Sequence, residues 1–338
     1  MRIGLVLGAG GYPGWPFQLA VLDAVEQYLA VDLRHSEVIV GTSVGAMVAL
    51  LLRAGFSASD MLAHAHGEPM SDAGAVLLHD VLEPAGSLPP AFPSWKIPTP
   101  LVTGAPAAWW AASGQGRRRN WVPGAASLLI PRGRTEHSVV ATAADSVLPR
   151  WPDRDTWIVA MRAADGARRV FGRDAVTSPG LAVTASSSIP GYFAPVAIDG
   201  TAHVDAGVLS STHADLLADR TDLDLVLIVP PLAAANPYGL TVDAPLRWLV
   251  NAQIADEVAK LRAAGHAVAV ASPPVDVVRA MQGDPMRMSP ARVARALDAT
   301  HRWIRAEAGR LINDAIGAQV RPIGHRAPDV RGRLSRVS

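Results

Sequence analysis

The chain contains no cysteine among its 338 residues. Disulfides, thiolate metal ligands and cysteine nucleophiles are thereby excluded, while the redox compartment stays open. Net charge is nearly absent as well: 31 Lys and Arg against 30 Asp and Glu leave a formal charge of +1. Without a global field the chain has no electrostatic means of recruiting nucleic acid, and no nucleic-acid partner is expected. Charged residues make up only 18% and aromatic residues 5%, whereas hydrophobic residues reach 49%. That balance excludes a disordered chain and fits a large, well-buried core. No apolar run reaches the ~18 uninterrupted residues of a membrane-spanning helix. The short apolar stretch from Met1 to Gly10 ends in glycines rather than in a signal-peptide cleavage site. A cytoplasmic location is the expectation, with peripheral contact to a membrane left open.

What is present is an alternation of strand and helix signals. Arg2 to Leu7 reads as a buried strand and Gly8 to Gly14 as a turn; a helix follows over Trp15 to Leu29, with Leu19, Leu22, Val25 and Leu29 at helical spacing. Val38 to Val40 is a second buried strand, Val44 to Ala54 an apolar helix stopped by Gly55, and Ser57 caps a helix to about His66. Residues 70–135 lose the pattern. They are rich in Pro and Gly, carry Trp95, Trp109, Trp110 and Trp121 around Arg117, Arg118 and Arg119, and read as an insertion over the site. Regular structure resumes with strands at Trp157 to Met161 and Arg169 to Phe171. A helix over Ala182 to Ser188, a loop from Pro190 to Pro195 and a strand at Leu223 to Val229 come next. A helix over Ala244 to Ala263, a strand at Ala267 to Ala271 and helices at Val275 to Met281 and Pro290 to Ile312 complete the set. The alternation predicts an α/β class, with a mainly parallel sheet covered on both faces. One domain over 1–312 and a loose tail over 313–338 are expected.

Three motifs carry chemistry. The first is Gly8-Ala9-Gly10-Gly11-Tyr12-Pro13-Gly14, after the first strand and opening a helix. Glycines let the backbone turn sharply and bring bare N–H groups, aided by the helix dipole, close to an anionic group. A dinucleotide-binding turn has the same look, but it predicts an acidic residue closing the second strand. That strand closes with Val40-Gly41-Thr42-Ser43 instead. The second motif, Gly41-Thr42-Ser43-Val44-Gly45, is a GxSxG nucleophile elbow between strand and helix. Gly41 and Gly45 remove side chains that would clash, and the new helix favours negative charge developing beside Ser43. Read plainly, Thr42 or Ser43 is a helix cap. The third is Asp205-Ala206-Gly207, whose carboxylate is placed to serve as a general base or, more blandly, to cap its own turn.

The order of these motifs, with Ala185-Ser186-Ser187-Ser188-Ile189-Pro190-Gly191 and Tyr192-Phe193-Ala194-Pro195-Val196 before the aspartate, resembles the patatin-like phospholipase family. The likeness covers roughly residues 3 to 230, and Gly283-Asp284-Pro285-Met286 is similar to bacterial members. The resemblance implies a three-layer α/β/α domain with a Ser–Asp dyad. It makes Ser43 the nucleophile and Asp205 the base, gives the backbone N–H groups of Gly10 and Gly11 an oxyanion hole, and names a lipid or acyl ester as substrate with no cofactor. Two departures stand out. Pro13 occupies a place where the family usually has Arg or Lys, removing a charge and a backbone donor. Ala206 follows the aspartate where Gly is usual, which matters only if that backbone needs positive φ. Both motivate a second reading, a non-hydrolytic lipid-binding member of the same fold.

The histidines are assigned no catalytic part. His203 is expected within a strand and His213 in a loop, and His64 and His66 lie on different faces of their helix, so no metal site is expected.

Overall fold

The computed structural model describes residues 1–85, 138–236, 243–283 and 289–320. Its framework follows from the short runs of Val, Ile and Leu. Such runs bury both faces of a strand and therefore suit the middle of a parallel sheet. Strand β1 (Ile3–Leu7) and β7 (Leu225–Val229) are buried at every position, and β2 (Val38–Gly41) equally so. These three, with β3 (Asp155–Arg162) and β8 (Val268–Val270), pair in parallel in the order β3-β2-β1-β7-β8. Strands β4 (Arg168–Phe171), β5 (Val196–Ile198) and β6 (Thr201–Asp205) join antiparallel at the β3 margin and complete an eight-stranded sheet.

Side chains alternate across the sheet with period two. Leu5, Leu7, Ile39 and Ile158 enter one core with helices α1 (Gly11–Leu29), α2 (Val44–Arg53) and α3 (Ala58–His66). Val6, Val40, Val159 and Ile228 enter the other, beneath Val250, Ile254, Val258 and Leu261 of a helix over Ala244–Ala263. The result is the expected three-layer α/β/α arrangement. Further helices are α4 (Asp72–Ala85), α5 (Ser138–Val147), α6 (Pro179–Ser187), α7 (the helix over Ala244–Ala263), α8 (Val275–Met281) and α9 (Pro290–Val320). Among the described residues no single helix is long and apolar enough to cross a membrane.

The fold departs from the sequence reading in four places. Helix α1 begins at Gly11 rather than Trp15. Pro13 sits in its first turn, where the backbone N–H has no helical partner to lose. Helix α4 lies inside the stretch read as irregular. Its Gly74 resembles a turn signal but marks a close approach, since a Cβ there would come within 2.6 Å of Asp60 Cγ. The rest of that stretch, residues 86–137, with its tryptophans and arginine run, lies outside the described residues, as do Asp284, Pro285 and Met286. Helix α9 continues to Val320, past the helix end expected at Ile312: Ala315 is buried, and Asn313 Nδ2 donates to Tyr28 Oη at 2.9 Å. Finally, β5 and β6 form an antiparallel hairpin at the β3 margin that the sequence pattern did not reveal, because strands this short show no period.

Candidate active site

The three motifs converge at one end of the sheet. Leu7 closes β1, after which the Gly8 N–H donates to Val229 O at 3.1 Å and the Ala9 N–H to Ser211 O at 2.7 Å. Gly10 is pressed against Pro231: a Cβ on Gly10 would lie 2.6 Å from that ring, so only glycine fits. Gly11 has φ +58° and opens α1. The N–H groups of Gly10 and Gly11 have no partner among the described residues. They stand at the positive end of α1, where the helix dipole favours negative charge.

Ser43 projects from a tight bend between β2 and α2, with φ 56° and ψ −123°. A non-glycine residue in that region carries strain of about 1–3 kcal/mol, tolerated only where the surroundings impose it. Here they do. Its N–H donates to Ser186 Oγ at 2.9 Å, and Ser186 Oγ donates to Val159 O at 2.7 Å. Close approach fixes both flanks: a Cβ on Gly41 would meet Ala46 Cα at 2.7 Å, and one on Gly45 would meet Leu7 O at 2.1 Å. The α2 N-terminus is thereby seated on the end of β1, beside the glycine turn.

Sheet register brings in the carboxylate. Ile158 pairs with Gly41 of β2 and with Phe171 of β4, while Ala160 pairs with Arg169 of β4 and with Asp205 of β6. A sheet residue has one neighbour on each edge, so β2 and β6 share one edge of β3 and β4 takes the other. The C-terminal ends of β2 and β6 therefore face each other across two residues of β3, about 7 Å of strand. The elbow rises from one end and Asp205 ends the other.

Asp205 is 5% exposed, and its carboxylate accepts the Gly207 N–H at 2.7 Å. Burial pushes its pKa up to about 6, against the pull of Gly207 and of a hydrogen bond with the Ser43 side chain. Ser43 and Asp205, far apart in sequence, thus lie side by side at the end of the sheet. Ala206 is fully buried and is not among the positive-φ residues, so its methyl strains nothing. Gly207 backs onto the glycine turn, where a Cβ would meet Ala9 Cβ at 3.1 Å. Gly8 and Gly14 are equally confined, by Ser211 O at 3.1 Å and by Pro231 at 3.0 Å.

The family model of the patatin-like phospholipases matches residues 5–218. The chain belongs to this family. Among solved structures this patatin-like chain is similar to the type III effector protein ExoU at 13% identity and TM-score 0.37, over 91% of this chain and 53% of that one. It is also similar to VipD from Legionella pneumophila, at 12% identity and TM-score 0.41, over 92% of this chain and 67% of that one. The chain thus spans about half of ExoU. No curated protein sequence gives a significant match.

Other groups near the patatin-like site are accounted for structurally. His203 lies in β6 against Phe171, ring centroids 5.4 Å apart, and burial lowers its pKa. His213 follows in a turn, its Nε2–H donating to Ala206 O at 3.2 Å, and burial holds it neutral. Among the described residues no group of His, Asp or Glu is arranged to hold a metal. Ser186 is one residue whose part sequence reasoning missed: it falls in a serine run whose members look interchangeable until β3 and the elbow are placed around it.

Proposed function

We propose that this protein is a serine-type lipid acyl hydrolase, of phospholipase A or lysophospholipase character, working through Ser43 and Asp205 without a cofactor. One observation carries the reading: a strained, buried serine meets a buried carboxylate whose pKa, about 6, suits a base near neutrality. Ser43 Oγ attacks the ester carbonyl and its proton passes to Asp205. The tetrahedral oxyanion rests against the Gly10 and Gly11 amides. As it collapses, the alcohol portion leaves with the proton from Asp205, and the acyl group stays on Ser43. Water then attacks the acyl-enzyme, Asp205 accepts its proton and returns it to Ser43, and the fatty acid departs.

Two features speak against the non-hydrolytic alternative. Pro13 occupies a helix position that needs no N–H, and Ala206 has an ordinary backbone. The absence of an acid at the end of β2 likewise speaks against a dinucleotide enzyme. Tyr12, 40% exposed beside the glycine turn, and its neighbour Tyr192 offer aromatic surface to an acyl chain or a membrane.

Labelling with a fluorophosphonate tests the reading. Covalent modification of Ser43 in the wild type is expected, with no labelling and no turnover of acyl esters by a folded Ser43→Ala variant. Undiminished hydrolysis by that variant would reject the assignment. A panel of esters differing in acyl length and head group then defines the substrate.

A further inference from the structure

The glycine turn is held from within by Gln18 Nε2, which donates to Gly8 O at 2.7 Å, and from outside by the loops on either side, both gripped by α7. Glu257, 6% exposed, accepts from Ser210 Oγ at 2.6 Å, Thr212 Oγ1 at 2.5 Å and the Ala214 N–H at 2.9 Å. Ser210 Oγ in turn accepts the N–H groups of Thr212 at 3.2 Å and His213 at 3.1 Å. Ser211, lying between the two gripped hydroxyl residues, is held with its carbonyl facing the Ala9 N–H at 2.7 Å. From the other side Arg247, 5% exposed, donates through Nη1 to Pro231 O at 2.9 Å and Ala233 O at 2.7 Å, and through Nε to Asp243 Oδ2 at 2.7 Å. The ring it fixes is the one that abuts Gly10 and Gly14. Asn251, one turn on, bonds both backbone groups of Ala234.

We propose that Glu257 and Arg247 are positioning residues that aim the Gly10 and Gly11 amides at the oxyanion, Glu257 through Ser211 and Ala9, and Arg247 through Pro231. The inference rests on the catalytic reading above and extends it beyond the region matched by the family, which ends at residue 218. The hydrogen-bond inventory requires the carboxylate. Both lone pairs of Ser210 Oγ are engaged by backbone N–H groups, so its hydroxyl must donate outward, and Glu257 is the acceptor. Glutamine of the same shape accepts at one end only. Its NH₂ group, turned to Ser210, meets an oxygen with no lone pair left.

The experiment compares wild type, Glu257→Gln and Arg247→Lys, with Thr300→Val as a control buried far along α9, where Thr300 Oγ1 donates to Ala296 O at 2.6 Å. Active sites are titrated with a fluorophosphonate, so that kcat is expressed per competent site and lost folding does not count. Hydrogen exchange at the Ala9 amide is followed in parallel. A roughly ten- to hundredfold fall in kcat, with KM within about twofold, is expected for both α7 variants, the range set by small misplacements of catalytic groups. Glu257→Gln should also speed exchange at Ala9. Thr300→Val should lower the melting temperature and leave both readouts at wild-type values. Wild-type kcat per site in Glu257→Gln and Arg247→Lys would overturn the proposal, and so would wild-type protection of Ala9 in Glu257→Gln. Absence of wild-type labelling at Ser43 would instead sink the catalytic reading, with Ala9 exchange still deciding whether Glu257 fixes the turn.

Discussion

Gly45 is the position at which the smallest change should do the most harm. A Cβ there would lie 2.1 Å from Leu7 O, 2.5 Å from Leu7 C and 2.9 Å from Gly8 O. Ordinary contact requires about 3.5 Å, so Gly45→Ala must move one partner by more than 1 Å, about 1.4 Å (3.5 − 2.1). Leu7 cannot give way, because β1 is paired on both edges, Leu7 with Gly41 and with Val229. The first turn of α2 moves instead and takes Ser43 with it. A 1 Å misplacement of a reacting group costs about a hundredfold in rate, equivalent to about 2.7 kcal/mol of barrier. Overpacking adds ~1–3 kcal/mol of lost stability, offset in part by the ~1 kcal/mol that alanine gains over glycine inside a helix. The assay is hydrolysis of a chromogenic acyl ester per fluorophosphonate-titrated site, with urea unfolding alongside. Gly67→Ala is the matched comparison: its φ is +76° with nothing within 4 Å, so it carries only left-handed strain of about 1–2 kcal/mol and should keep full activity. Wild-type turnover and stability in Gly45→Ala would refute the account of how the elbow is seated.

Other consequences follow from the same contacts. Because Asp205 must be ionised to accept a proton, kcat/KM should climb as pH rises through about 6 and level off above it; a rate independent of pH between 5 and 7 would remove Asp205 from the base role. The same shift has a stability sign. A carboxyl whose folded pKa is raised favours the folded state at low pH and loses that contribution as pH climbs from about 4 through about 6. Asp205→Asn should therefore be inactive yet more stable than wild type at pH 8, a gap that closes below pH 4 in thermal melts. Ser186→Ala strands the Ser43 N–H in a buried setting at ~1–3 kcal/mol. It should lower the urea midpoint and slow fluorophosphonate labelling of Ser43, whereas Ser187→Ala should do neither.

How much was legible in the sequence depended on whether the constraint was local. Gly41, Gly45 and Gly10 are demanded by approaches of 2.1–2.8 Å to backbone or a proline ring, and such contacts leave a glycine that can be read without coordinates. The elbow, the glycine turn and the buried strands of the parallel core were legible on that basis. The antiparallel β5–β6 hairpin was not, since strands of three and five residues set by pairing with Arg162 and Ala160 carry no pattern of their own. Helix α4 was hidden by Gly74, a residue selected by Asp60 across space rather than by a turn. Glu257 and Arg247 were hidden most completely. Each looks like one more charge on a long helix, and the loop groups they hold lie 14 to 47 residues away.

The site holds two unfavourable arrangements at once, and their coexistence explains its rigid surroundings. Ser43 is kept at a positive φ that serine avoids, and Asp205 is kept dry at a pKa near 6. Each alone would relax if its neighbours allowed it: the serine by turning its peptide, the carboxyl by admitting water. Neither can, because the ends of β2 and β6 are both registered on β3, and β3 is held on its far edge by β4. The Ser43–Asp205 contact is thus set by strand register rather than by the two side chains themselves. In the mechanism proposed above, a carboxylate so desolvated needs no imidazole to bridge it to the hydroxyl, because burial has already raised its basicity, and His203 and His213 are left to packing and to a carbonyl.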